Sequence, residues 1–142
     1  MTIPVAFHTG AADPVSFACR LLRKACRQGA RVLVTAPLPT LAALDTALWT
    51  FDAQDFVPHL RLPAPAALAL RTPIWLSAGE VPADAPRLRV NLGAEPPRDP
   101  SEVERVIEIV GDAPQDRLAA RERWRHYEQA WGVTPEHHVA AG

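Results

Sequence analysis

The sequence of 142 residues contains two cysteines, Cys19 and Cys26, and a single lysine, Lys24. The cysteines are seven positions apart in a segment with helical spacing, so about 10 Å of helix axis separates them. That separation is too long for a disulfide. No Cys-x-x-Cys pair or nearby histidine completes a metal site. We therefore predict packing roles for both cysteines in a reducing compartment, and no bound metal.

Long apolar runs and a strong net charge are also missing. No segment approaches the ~20 apolar residues of a membrane helix. The N-terminus lacks the basic start, apolar stretch and cleavage site of a secretory signal. These features predict a cytoplasmic protein that does not act at a membrane. The formal net charge of −1 provides no positive field for nucleic acid, so contact with DNA is expected to be mainly indirect.

Short apolar runs alternate with helical patterns along the chain. Five strands are predicted, at residues 5–8, 31–35, 74–76, 88–92 and 106–110. Three helices are predicted, at residues 13–29, 39–49 and 114–131. The proline-rich residues 51–72 are expected to form a long loop, and a flexible tail is expected from about residue 133.

This order predicts a single α/β domain spanning residues 1–142. Its sheet is expected to be Rossmann-like, with about five strands and helices on both faces. The first two strands are predicted to be a parallel pair joined by a right-handed crossover.

The turn after the first strand carries no phosphate-binding motif. It has one glycine, Gly10, and matches neither Gly-x-Gly-x-x-Gly nor Gly-x-x-x-x-Gly-Lys-Ser/Thr. Asp13 at the start of the following helix would repel an anion there. The sequence therefore predicts no nucleotide cofactor.

Two histidine arrangements leave an enzymatic function open. His8 and Asp13 lie near the end of the first strand and could act as an acid–base pair in a small α/β enzyme or nucleotide-binding protein. A capping Asp13 beside a partly buried His8 is the simpler interpretation. His137 and His138 resemble a metal pair, but adjacent side chains diverge and no third ligand is near, so the pattern favours a tail or strand.

The last predicted helix combines a basic row with an aromatic stripe. The row recurs every four residues, at Arg117, Arg121 and Arg125. The stripe comprises Ala120, Trp124, Tyr127 and Trp131. Such a face can hold an acidic peptide with a hydrophobic end, since guanidinium grips a carboxylate bidentately. The alternative is a solvated charged face above an ordinary core stripe.

A second aromatic pattern lies at the end of the second predicted helix. Trp49 ends the helix, and Phe56 and Val57 follow on a loop stiffened by Pro58. Large aromatics in such positions suit a protein interface, because they provide contact area at a low entropic cost. They could equally cap the core.

Four stretches of the chain, taken together, resemble the chi subunit family of the DNA polymerase III clamp-loader complex. They occur in the family's order and span nearly the whole chain. They are Leu44-Asp45-Thr46-Ala47-Leu48-Trp49, Phe56-Val57-Pro58-His59, Val90-Asn91-Leu92-Gly93, and Ala120-Arg121-Glu122-Arg123-Trp124 followed by Tyr127.

The resemblance implies a non-catalytic Rossmann-like domain without a cofactor. Such subunits link the clamp loader to single-stranded DNA-binding protein by holding its acidic C-terminal tail, which ends in Pro-Phe. They are tethered to the clamp loader by pairing with the psi subunit. An alternative helicase that docks on the same surface as psi is a further possible partner.

The resemblance also assigns residues to both binding surfaces. The tail-binding arginine falls on Arg121, with Trp124 beside it where a smaller ring is commoner. Arg117, Arg125 and the apolar lip Val110 complete the tail site. The psi surface falls on Trp49, Phe56 and Val57.

Overall fold

The computed structural model describes residues 2–50 and 52–140. These residues form seven strands and four α-helices, and strands and helices alternate except where β4, β5 and β6 follow one another without an α-helix between them. The strands are β1 (Val5–Ala11), β2 (Val32–Thr35), β3 (His59–Arg61), β4 (Ile74–Ser77), β5 (Leu88–Asn91), β6 (Arg105–Gly111) and β7 (Glu136–Val139). The helices are α1 (Pro14–Arg27), α2 (Leu38–Thr50), α3 (Ala66–Arg71) and α4 (Pro114–Trp131).

Local sequence signals set the ends of the two longest helices. Asp13 caps α1 by accepting a hydrogen bond of 3.1 Å from the Ser16 amide, and Pro14 occupies the first turn. Pro114 likewise begins α4. Gly132 ends α4 in the left-handed region at φ 65°, a conformation that glycine adopts without a Cβ clash.

All the strand pairs in the sheet are parallel, and the order is β3-β4-β2-β5-β6-β1-β7. The predicted pairing of the first two strands is therefore wrong: β5 and β6 lie between β1 and β2. The connection through α1 passes over two strand positions, which are occupied by β5 and β6 from later in the sequence. The strands β3 and β7 form the two edges.

Helices cover both faces of the sheet, as predicted. On one face α1 and α2 pack over a continuous apolar core that includes Leu22, Leu44 and Val34. On the other face there are two separate clusters. One lies under α4 around Phe7 and Tyr127, and the smaller one lies under α3.

The five predicted strands and three predicted helices are present, but the sequence analysis missed two strands and one helix. The proline-rich loop contains β3 and α3, which have only three and six residues. The segment predicted as a flexible tail contains β7, which pairs with β1. All four β7 residues are exposed, so no apolar pattern marks this strand in the sequence.

Cys19 is buried and Cys26 is half-buried, and both are free thiols. Burial raises the pKa of Cys19 to about 11, so this thiol stays protonated and unreactive at neutral pH. Among residues 2–50 and 52–140, no helix combines the length and the apolar character needed to cross a membrane.

Candidate functional site

A cleft of about 500 Å³ runs between α4 and the β1–β7 edge of the sheet. We call it the α4 cleft. All five residues predicted for the tail site line it, and residues from β1 and β7 complete it. Its lining is Phe7, Thr9, Val110, Arg117, Ala120, Arg121, Trp124, Arg125, Glu128 and His137.

One side of the cleft is basic because α4 repeats arginine every four residues. Arg117, Arg121 and Arg125 are exposed on one helix face. Across the described part of the chain, no carboxylate lies within ion-pairing distance of these three guanidinium groups. Glu128 is the one acidic residue in the lining. The row therefore offers uncompensated positive charge and free donors to an anionic ligand.

The floor of the cleft is apolar. Phe7, Val110 and Ala120 are buried there, and the half-buried Trp124 ring lies over Phe7 with the ring centroids 5.1 Å apart. An indole held against a second ring leaves one fixed apolar surface open to the cleft. The floor can therefore take an apolar or aromatic side chain beside the charged row.

The second side of the cleft comes from β1 and β7, and the sequence analysis did not anticipate it. The His137 Nε2 atom lies 2.6 Å from the Thr9 hydroxyl, and the imidazole meets the Trp124 ring edge-on with centroids 6.5 Å apart. The pairing of β7 with β1 places His137 there. The weak strand pattern of residues 136–139 gave little sequence signal for this contact.

A buried polar network beneath the cleft holds α4 on the sheet. The Glu108 side chain is fully buried and accepts hydrogen bonds from Arg123 at 2.9 Å and from the Tyr127 hydroxyl at 2.7 Å. Asn91, which accepts from the Thr35 hydroxyl, donates a third bond to Glu108 at 3.1 Å. Burial raises the pKa of Glu108 above its ordinary value, although Arg123 and the other donors oppose that shift.

The same network shows that the two arginines of the Arg-Glu-Arg motif have different environments. Arg123 is buried against Glu108, whereas Arg121 is exposed in the cleft. Burial and the Glu108 charge raise the pKa of Tyr127, so its hydroxyl remains a donor. The sequence signal for this network is a glutamate in the middle of an otherwise apolar strand, 106–110. The network fixes which face of α4 is turned to the cleft.

A separate aromatic patch lies near the β3 edge of the sheet. We define it as Trp49 and Phe56, which are 60% and 56% exposed with ring centroids 5.3 Å apart. His59 lies next to Trp49 at 4.9 Å, and its ring nitrogens face the Asp45 carboxylate at 2.9 Å and the Val57 carbonyl at 2.8 Å. The aromatic patch is therefore exposed, and its Trp49 ring rests on His59, which is itself fixed by Asp45 and Val57.

Val57 does not share that exposure. Its side chain is 1% exposed and packs in the core, so it is closed to a partner. The loop backbone turns Phe56 outward and Val57 inward, and Val57 supplies only its carbonyl to His59. This corrects the predicted interface, in which all three residues were expected to make contact.

His8 and Asp13 do not form a pair in this structure. Asp13 caps α1, while His8 stacks on His138 with ring centroids 5.0 Å apart. Burial lowers the pKa of His8, and the charges of His138 and Arg105 lower it further by smaller amounts. Adjacent histidines in β7 point to opposite sides, and the described residues hold no cluster of three metal-ligating side chains.

Comparison with known proteins gives concordant results. The family model described as "DNA polymerase III chi subunit, HolC" matches residues 1–136. A curated protein of Pseudomonas aeruginosa, "DNA polymerase III subunit chi", is 35% identical over 132 residues. The match covers 90% of this chain and 90% of that protein. The family-model match includes β1, β6 and α4, which form most of the α4 cleft, and ends at the first residue of β7.

Proposed function

The chain belongs to the DNA polymerase III chi subunit family, and from that premise we propose that it is a non-catalytic, cytoplasmic adaptor of the bacterial replicative polymerase. In this proposal the α4 cleft holds the acidic C-terminal tail of single-stranded DNA-binding protein. The aromatic patch holds the psi subunit, which links the adaptor to the clamp loader. DNA is then contacted mainly through the partner proteins.

The observation that carries the tail proposal is the row of unpaired arginines beside an apolar floor. An acidic tail brings several carboxylates, and each can replace water on an exposed guanidinium of Arg117, Arg121 or Arg125. Arg121, the central arginine, is best placed to hold the terminal carboxylate bidentately. The terminal phenylalanine ring then lies on the floor made by Phe7 and Trp124.

The charge of the cleft also explains how a protein of net charge −1 could select an acidic partner. Long-range attraction is absent, so the selection is local. The cleft lining contains three arginines and a single glutamate, Glu128, all on α4. Binding of this kind weakens as salt screens the exposed charges.

The aromatic patch supports the psi proposal in a different way. Trp49 and Phe56 are large, exposed and in mutual contact, as the central residues of protein interfaces commonly are. His59 and Asp45 restrict the position of Trp49 from below, so little conformational entropy is lost on binding. An alternative helicase docking on this surface would compete with psi.

Fluorescence polarisation with a labelled peptide of acidic residues ending in Pro-Phe tests the tail proposal. Arg121→Ala should weaken binding by about 2 kcal/mol or more, because it removes the central donor of the row. Amidation of the peptide C-terminus should cause a loss of similar size in wild type and little further loss in the variant.

Arg71→Ala is the matched control, since Arg71 is an exposed arginine on α3 and its removal changes the net charge equally. That variant should bind the peptide like wild type. Equal affinity of wild type and Arg121→Ala, or equal losses in both variants, would remove Arg121 from the site.

A further inference from the structure

A second cavity, of about 460 Å³, lies on the same face of the sheet as α4. Arg89 of β5 is in register with Leu33 on one side and Val106 on the other. Leu33 packs in the cluster under α3, and Val106 packs in the cluster under α4. The cavity therefore lies in the gap between the two helices, where loops 78–81 and 94–98 cover the sheet.

Arg89 forms the base of this cavity and has an unfilled hydrogen-bonding group. It is 2% exposed, and its Nε atom has no hydrogen-bond partner within residues 2–50 and 52–140. No carboxylate in that part of the chain lies within ion-pairing distance of it. Arg123, the neighbouring buried arginine, has Glu108 at 2.9 Å. Burial lowers the pKa of Arg89, but a guanidinium stays protonated at neutral pH.

A buried guanidinium without an acceptor is costly for a folded chain, and a ligand oxyanion would satisfy it. Carboxylates and phosphates both match the planar donor fork of arginine. The volume lies within the range typical of small-molecule sites. The cavity is therefore suited to a ligand that brings at least one anionic oxygen pair to Arg89.

The remaining charges of the lining restrict that ligand. Arg98 adds a second cation, but Glu80, Glu95 and Glu102 add three carboxylates. Glu80 and Glu95 are exposed at the mouth, while Glu102 is half-buried. This net negative lining would repel a multiply charged anion such as a phosphate ester. It would repel a single carboxylate much less if the same ligand also carried a cationic group, which the glutamates attract.

We propose that this cavity binds a small zwitterion, whose carboxylate is held by Arg89 and whose ammonium group lies among the glutamates at the mouth. Thr35 also lines the cavity, two residues along β2 from the Leu33 that pairs with Arg89, and it donates its hydroxyl hydrogen to Asn91. The site is separate from the α4 cleft and from the aromatic patch, so it would add a small-molecule ligand to a protein-binding subunit.

The test follows, by NMR during titration with three probes, the backbone amide resonances of the non-proline residues that line the cavity, namely Ala78, Gly79, Glu80, Val81, Ala94, Glu95 and Arg98. The probes are 4-aminobutyrate, pentanoate of nearly the same length without the ammonium group, and inorganic phosphate. 4-Aminobutyrate should give saturable shifts with a dissociation constant on the order of 1 mM. Pentanoate should bind more weakly, and phosphate should bind most weakly.

Arg89→Leu should weaken 4-aminobutyrate binding by about tenfold or more. This variant should fold, because leucine removes a buried charge that has no ion-pair partner in the described residues, so no carboxylate loses its partner. Arg89→Lys, which keeps the charge but loses the fork, provides a second folded variant with an intermediate loss. Glu80→Gln combined with Glu95→Gln should abolish the preference for 4-aminobutyrate over pentanoate.

Binding at this site should survive Arg121→Ala, which separates the result from the tail proposal. Unsaturable shifts with all three probes would overturn the inference. Equal binding by wild type and Arg89→Leu would overturn it too. Tighter binding of phosphate, or equal binding of pentanoate and 4-aminobutyrate in wild type, would exclude the zwitterion.

Discussion

Arg121 and Arg123 lie two positions apart on α4, which places them on nearly opposite sides of the helix. Arg123 donates to Glu108 at 2.9 Å beneath the helix, whereas Arg121 is exposed in the cleft. The two guanidinium groups are chemically identical, but one holds the helix in place and the other is free to bind. Their roles therefore differ through burial alone.

Replacement of each arginine should separate these roles. Arg123→Leu should lower the free energy of unfolding by about 3–5 kcal/mol, because Glu108 would be left as an uncompensated buried charge. Arg121→Ala should change it by no more than about 0.5 kcal/mol. Urea denaturation followed by circular dichroism measures both. Adding Glu108→Gln to Arg123→Leu should recover most of the lost free energy of unfolding. If it recovered none, the destabilisation by Arg123→Leu would have another origin.

Much of the α4 cleft could be predicted at the residue scale, because the four-residue spacing of arginines depends only on helix geometry. Arg117, Arg121 and Arg125 follow from that spacing. Phe7 and Thr9 could not be predicted, since their place in the cleft depends on which strands become neighbours. The burial of Val57 was missed for a related reason: residues in irregular loops have no period that tells inside from outside.

At the scale of elements, β7 changes the cleft from an open helix face into a site with two sides. The strand pairs with β1 and alternates its side chains between the two faces of the sheet. His137 therefore faces the cleft beside Thr9, and His138 stacks on His8 on the other face. His137 and His138 are adjacent and chemically identical but lie on opposite faces of the sheet, so substituting each in turn compares the two faces.

We expect His137→Ala to weaken binding of the acidic tail peptide by about 1 kcal/mol, since it removes a polar side chain from the cleft lining. His138→Ala should leave the affinity unchanged, because that ring lies on the opposite face. Fluorescence polarisation with the same labelled peptide measures both variants. If both substitutions weakened binding equally, β7 would act through its stability and not through the His137 side chain.

The elements that escaped prediction are those that depend on the rest of the fold. The strand β3 has three residues and α3 has six, so neither shows a full period in the sequence. The strand β7 is exposed throughout and exists by pairing with the edge of β1. In contrast, β2 and β4 are buried at every position, and their continuous apolar runs identified them directly.

At the scale of the whole molecule, the two proposed protein-binding surfaces lie at opposite edges of the sheet. The α4 cleft adjoins β1 and β7 at one edge, while the aromatic patch adjoins α2 and β3 at the other. Seven strands at the usual spacing separate these edges by roughly 30 Å. The helices α2 and α4 also cover opposite faces. Two partners could therefore be held at once without touching, as an adaptor requires.

This separation predicts that the two surfaces bind independently. The double substitution Trp49→Ala and Phe56→Ala should cost about 2 kcal/mol or more in affinity for the psi subunit. Affinity for the acidic tail peptide should stay unchanged, because effects at distant sites with no shared partners add. Both side chains are more than half exposed, so the substitutions should leave the fold intact.

Isothermal titration calorimetry measures this independence. Wild type, the double variant and Arg121→Ala are each titrated with one partner alone and then with the other partner already bound. Arg121→Ala should show the reverse pattern and retain psi. The alternative helicase, if it uses the aromatic patch, should lose affinity in the double variant and compete with psi. A change of more than about threefold in tail affinity on saturation with psi would mean that the surfaces are coupled. The rigid sheet between them would then have to transmit the effect, and the buried network of Asn91, Glu108 and Arg123 would be the place to look for it.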